Sequence, residues 1–407
     1  MKTHQGILSS TIQKLIIIIY MIMMSVQIIG IEGMTVSPLK AIGMGVSPLI
    51  FLLLLNKFEY NFNVLIYTII YLAALIVCSL LSSPIVVWDR IIYRAMYLMT
   101  FICIYQIMNT GEMPIECFRK ILIFITVSYG ITFILQNICF AAGIHKLLLI
   151  NLSGAVTMEG GLKANTLAIE PSHAARILAF IYWGVVVLTE IIEGRELSFK
   201  EHFKENPYTT LSFWITMFFM GSATAMLGAA LVGIHFLKKH ITLYLTGIVV
   251  FIILLNIDIN IETIDRLKNV INAFLSDDAV STLKKTESSG GSRIAPMINT
   301  ITNLDLFSWE TWVGKGTDNI RTNAAMFTTQ KIGDINDFGL ISYLCSLIFV
   351  FKCCIRKFFC IETLLFAILL GFAIGSMYTC WCGMIVCMAI KYYSDNAVPS
   401  KEKDNNK

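Results

Sequence analysis

Apolar positions run through the chain in long unbroken stretches, and polar residues collect in short breaks and two longer segments. Runs long enough, or nearly so, to cross a bilayer fall at about 14–31, 38–55, 63–82, 90–108, 119–141, 174–193, 208–221, 223–237, 241–257, 337–352, 360–375 and 378–393. A spanning helix takes ~20 apolar residues, so the pattern predicts about 12 transmembrane helices in a single integral membrane domain over residues 1–407. The stretch 208–237 reads either as one tilted helix or as two short ones broken near Gly221-Ser222. The first run reads as a span, since no small-residue cleavage site follows its apolar core.

Composition agrees with this pattern. Of 407 residues, 56% are hydrophobic and only 14% charged, and the mean hydropathy is +0.73. Soluble domains carry about a quarter charged residues, so a cytosolic enzyme, a disordered regulator and a nucleic-acid reader are excluded as classes. The net charge of +4 is spread thinly and forms no basic patch, so no nucleic-acid partner is expected. The eleven cysteines lie in or beside apolar runs, without the paired spacing of a zinc site.

Sorting the charges by side sets an orientation. With twelve spans and both termini cytoplasmic, Lys14, Lys57, Arg119, Lys120, Arg195, Lys238, Lys239, Lys352, Arg356, Lys357 and Lys391 face the cytoplasm. The short outer loops keep only Lys40, Arg90 and Arg94, as the positive-inside rule predicts. One helix across 208–237 would put Lys238-Lys239 on the wrong side, which favours two. Two outer loops are then long, about 142–173 and 258–336, and a cytoplasmic tail covers about 394–407. The lipid bilayer is thus an expected partner.

The larger loop opens with Ile261, Ile264, Leu267, Ile271, Phe274 and Leu275, one apolar helical face that predicts an amphipathic surface helix. After Ser288-Ser289-Gly290-Gly291-Ser292 comes Arg293, at the start of a second helical pattern. A guanidinium at a helix start suits a phosphate or pyrophosphate; a solvated loop arginine fits the sequence equally well. The smaller loop ends in Glu170-Pro171-Ser172-His173, with Arg176 one turn further in. Pro171 suits the first helical position, and ionisable residues at the mouth of a span mark a site unless they merely pair or complement the helix dipole. Arg90 and Arg94 share a face at an outer helix end; they bind an anionic lipid headgroup or diphosphate, or anchor the interface beside Trp88 and Tyr93.

These features resemble the Wzy-type oligosaccharide repeat-unit polymerases, within the wider group of O-antigen ligase and polymerase membrane proteins. The likeness rests on Glu170-Pro171-Ser172 entering a span after a long outer loop, and on the small hydroxyl-bearing stretch Gly221-Ser222-Ala223-Thr224-Ala225. It continues in Ser292-Arg293, Val313-Gly314-Lys315-Gly316, Asp337-Phe338-Gly339-Leu340, and Gly375-Ser376-Met377-Tyr378 leading to Trp381. Many relatives carry an arginine before the first of these motifs, where this chain offers Lys163.

The resemblance implies an all-α, polytopic, GT-C-like glycosyltransferase. Its substrate would be an undecaprenyl-diphosphate-linked oligosaccharide, extended into surface polysaccharide such as O-antigen or capsule on the outer face of the membrane. A chain-length regulator and a separate flippase are the implied protein partners. Arg176 and Arg293 would neutralise the leaving diphosphate, with Lys163, Arg90, Arg94 and Arg321 as further candidates. Glu170 or His173 would take the acceptor proton. The scheme calls for no cofactor and no metal. An O-antigen ligase shares this plan but usually needs a histidine in the large loop, and residues 258–336 have none. A flippase or other transporter would keep its outer loops short.

Overall fold

The structure, a computed structural model, describes residues 9–27, 38–55, 62–82, 88–144, 164–237, 304–316, 335–375 and 377–397. Every regular element among them is helical: α1 Ser10–Ser25, α2 Pro38–Leu55, α3 Phe62–Ser82, α4 Trp88–Asn109, α5 Ile115–Ala141, α6 Pro171–Glu193, α7 Phe199–Glu205, α8 Pro207–Phe219, α9 Ala223–Leu237, α10 Trp309–Val313, α11 Ile335–Cys353, α12 Ile361–Leu370 and α13 Tyr378–Asn396. Four of these, within α3, α4, α5 and α6, are long and apolar enough to cross a membrane. The expected run at 241–257, the amphipathic helix at 261–275 and the residues Lys163, Arg293 and Arg321 lie outside the described residues.

The helices form one bundle with α6 and α13 inside it. The apolar stretch of α6 is 78% buried, against 33% for α3, which therefore lies at the periphery. Close approach at the centre depends on small residues: a Cβ on Gly184 would meet Leu122 of α5 and Val386 of α13, and one on Gly383 would meet the Phe180 ring. Outward faces stay apolar, with Ile66, Ile69 and Leu80 of α3 and Phe124, Ile131 and Ile138 of α5 exposed. That surface suits lipid rather than water.

Contacts sort the helix ends into two groups. At one end, the Pro171 end, Gln27 N just after α1 donates to Leu167 O at 2.8 Å, and Arg90 of α4 meets Asp337 of α11 at 2.8 Å. At the opposite end Tyr393 Oη of α13 donates to Met113 O before α5 at 2.7 Å. There, too, Lys391 Nζ donates to the carbonyls of Lys352 (2.7 Å), Ile355 (3.0 Å) and Phe351 (3.4 Å), capping α11. Arg356 Nε also reaches the fully buried Glu362 at 2.7 Å. Thus α4, α6, α11 and α13 run from the Pro171 end to the opposite end, while α1 and α5 run the other way.

The pair α8 and α9 removes the single-helix reading of 208–237. Gly221, with φ +67°, reverses the chain. The two helices then run antiparallel, Trp214 beside Gly233 and Met217 beside Gly228. With 13 and 15 residues they are about 20 and 22 Å long, shorter than a ~30 Å hydrocarbon core. The run at 360–375 is likewise shorter as a helix: α12 ends at Leu370, followed by Gly371 (φ +62°) and Phe372 (φ +55°).

Before α8, outside the spans, stands α7, which hydropathy does not single out. Ser198 and Glu201 close a reciprocal capping box around its first turn. Hydrogen bonds from the Ser198 hydroxyl and amide, then from Arg195, hold the Glu201 carboxyl down at about 2. His202, also of α7, is fully buried beside Tyr182 and Phe236. Neither ring nitrogen has a hydrogen-bond partner among the described residues, and burial pushes the imidazole down to about 4. Nearby, His235 Nε2 lies 2.8 Å from Glu190 Oε1, and Arg119 Nη1 donates to Thr189 Oγ1 at 3.3 Å.

Candidate functional site

The segment before α6 is held by one side chain of α5 and by the backbone just past α1. Gln136 of α5 donates to Asn165 Oδ1 at 2.8 Å and accepts from Thr166 N at 2.8 Å. Asn165 Nδ2 donates onward to Ile169 O at 3.2 Å. With Gln27 N bound to Leu167 O, this fixes a turn whose tightest residue, Thr166, has φ +53°. The turn delivers Glu170, in extended conformation, to the helix start, and Pro171 takes the first helical position as its missing N–H allows.

Glu170 is exposed at this mouth, and Ser172 Oγ donates to its Oε2 at 3.3 Å. His173, only 9% exposed, sets its ring edge-on to Tyr378, the first residue of α13, at 6.1 Å and 88°. Over the same Tyr378 ring, 3.4 Å from its centroid, stands Lys40 Nζ, which is buried and also donates to Gln27 Oε1 at 3.5 Å. The starts of α2, α6 and α13 thus meet at one tyrosine ring, and Gln27, just past α1, is tied to them through Lys40. A lysine ammonium over an aromatic face gains about 2 kcal/mol when desolvated, an attraction that helps hold a buried cation here.

Arg176 lies one turn inward of Ser172 on α6. It is partly buried, and its Nε has no hydrogen-bond partner among the described residues. A helix advances about 100° per residue, so Arg176 sits next to the Ala175 and Ala179 face, which touches Gly228 of α9. A guanidinium with an unfilled buried donor has spare capacity for an anionic oxygen.

The other predicted arginines are placed differently. Arg90 is paired with Asp337, which offsets its charge. Arg94 is 3% exposed and lies 4.4 Å from the Phe338 ring, a stacking position. Arg90 and Arg94 both belong to the first two turns of α4, as Lys40 belongs to the first turn of α2. One turn deeper, Tyr97 stacks on Trp381 at 5.7 Å and 6°, and Trp381 Nε1 donates to Gly375 O at 3.0 Å, closing the floor beneath Tyr378.

The structure therefore brings Glu170, His173 and Arg176 together on one helix end and adds Lys40, Gln27, Gln136 and Tyr378, which do not belong to the predicted set. Lys40 is legible in sequence only as a stray outer charge. Gln136 is one amide in a long apolar run, a signal that marks a polar contact without naming its partner. Among the described residues no group of three histidines, cysteines or carboxylates stands close enough to hold a metal. Chemically, the arrangement offers a carboxylate and an imidazole at the mouth with cations just behind them. Compared with known proteins, the chain matches no protein-family model, no curated protein and no solved structure.

Proposed function

We propose that the chain is a polymerase of lipid-diphosphate-linked oligosaccharide repeat units, with twelve spans, both termini in the cytoplasm and the Pro171 end on the outer face of the cytoplasmic membrane. The observation that carries this is Arg176, a guanidinium with an unfilled buried Nε, one turn behind the exposed Glu170 and beside His173. The positive-inside distribution supports the orientation, because Arg356, Lys391, Arg195 and Lys204 all belong to the end opposite Glu170.

In this reading an acceptor hydroxyl gives its proton to Glu170 or His173 as its oxygen bonds the anomeric carbon of the donor glycan. The bond from that carbon to the diphosphate breaks, and the leaving lipid diphosphate takes the electron pair. Fixed positive charge lowers the cost of that departure. Arg176 and Lys40 supply it, with Arg94 behind, while Arg293, Lys163 and Arg321 are the loop cations assigned to the same anion. Arg90 keeps Asp337 as its partner and braces α4 against α11. The polyprenyl tail stays in lipid, which accounts for so large an apolar bundle around so small a polar mouth.

Deleting the gene and resolving surface polysaccharide on a gel tests the proposal. A polymerase loss leaves single-repeat products. Loss of all surface glycan points to a ligase or flippase instead, and an unchanged ladder refutes the reading.

A further inference from the structure

Residues 304–313 present large apolar side chains to the outside at the Pro171 end: Leu306 is 52% exposed, Phe307 101%, Trp309 62% and Trp312 37%. These exposures are not those of a frayed loop. Asp305 Oδ1 accepts from Phe307 N at 2.9 Å, Asp305 O accepts from Ser308 N at 3.2 Å, and Trp312 Nε1 donates to Leu306 O at 2.9 Å. The segment is locked to α11 by two glycines. A Cβ on Gly339 (φ +77°) would meet Trp312 O at 2.2 Å, and one on Gly314 (φ +90°) would meet Asp337 O at 2.5 Å. An aromatic patch on a backbone this tightly held is a built surface.

Its place in the bundle says what it meets. The helix α10 packs against α11 and α3, and α3 is the least enclosed of the four long apolar helices. Val77, Leu80 and Leu81, at three-and-four spacing on α3, and Ile341 and Leu344 of α11 are exposed apolar residues of the two helices α10 packs on, so the patch adjoins helices whose outward faces suit lipid. At its rim Glu310 and Lys315 form an exposed pair at 3.5 Å. Tryptophan, phenylalanine and leucine bordered by charges is the composition of a membrane–water boundary, where amphipathic rings sit at headgroup depth. A saccharide-binding platform would instead be expected near Glu170 and Tyr378, between α2, α6 and α13.

We propose that residues 304–313 form a lipid-interface anchor that seats Leu306, Phe307 and Trp309 at the headgroup–acyl boundary beside α3 and α11. Through the Gly314–Gly339 contact this anchor sets the height of the first turn of α11 and so of Asp337, the partner of Arg90.

The test uses full-length protein in vesicles of phosphatidylcholine and phosphatidylglycerol, carrying F307C labelled with a bimane dye, with emission from the chain lacking the substitution subtracted. F124C on the exposed face of α5 and E205C on α7 serve as lipid and water references. The expected result for F307C is a blue-shifted emission that is lost to a lipid nitroxide near the headgroup and retained in aqueous iodide. Iodide quenching equal to that of E205C overturns the proposal, and so does protection from both quenchers, which would mean that protein covers the patch.

Discussion

His202 gives the sharpest quantitative consequence of the fold. Its imidazole is fully buried on α7 between Tyr182 and Phe236, and burial lowers it from 6.5 to about 4. Glu190 acts in the opposite direction, while His235 and Arg119 reinforce the lowering. A base depressed in the folded state is protonated first in the unfolded chain, so stability falls as pH drops through 6.5 and levels off below 4. The loss from this residue is about 2 kcal/mol by pH 5 and about 3 kcal/mol by pH 4. The contribution of Glu201 is lost only lower, as pH falls from 4.5 toward about 2, so the two windows barely overlap. His202→Phe removes the titrating group and its two unpaired nitrogens, one a donor and one an acceptor in the neutral ring, and a buried polar group without a partner costs about 1–3 kcal/mol. The variant is therefore expected to match or exceed the parent at pH 7.5 and to exceed it by at least ~2 kcal/mol at pH 5. Reversible unfolding in mixed micelles from pH 7.5 to 4.5 reads both curves. Parallel curves would refute the burial argument.

Four further outcomes follow from the same geometry. Arg176→Ala is expected to stop chain extension while membrane insertion stays normal, read by polysaccharide gel and membrane immunoblot; a full ladder removes Arg176 from the site. Lys40→Met keeps the stem over Tyr378 but removes the charge, and should shorten chains more than Arg90→Lys, which keeps a cation beside Asp337. Gly339→Ala puts a methyl against Trp312 O at positive φ and should cost about 3 kcal/mol in unfolding measurements. Glu362→Ala strands Arg356, whose side chain is 27% exposed, so the loss of a buried pair is discounted for solvent to about 2 kcal/mol.

Much of the helix plan is legible in the apolar runs because a bilayer imposes length and composition directly on sequence. The run at 63–82 became α3 almost residue for residue, and the start of α6 at Pro171 follows from proline chemistry alone. Length within the bundle is less legible. The chain folds back at Gly221 and breaks off α12 at Leu370, since a helix sheltered by neighbours need not cover the full hydrocarbon depth.

What the sequence by itself determined is the apolar, helical character of the chain, the collection of its lysines and arginines in the breaks between apolar runs, and the polar cluster Glu170-Pro171-Ser172-His173. These are local properties, set by transfer of side chains between water and hydrocarbon. Only the tertiary structure decided which cations stand behind that cluster. Arg90 and Lys40 look alike as outer charges, yet one is paired with Asp337, 247 positions away, and the other is buried over Tyr378. Partner choice at that separation depends on how helices pack, and packing joins residues whose distance along the chain carries no hydropathy signal.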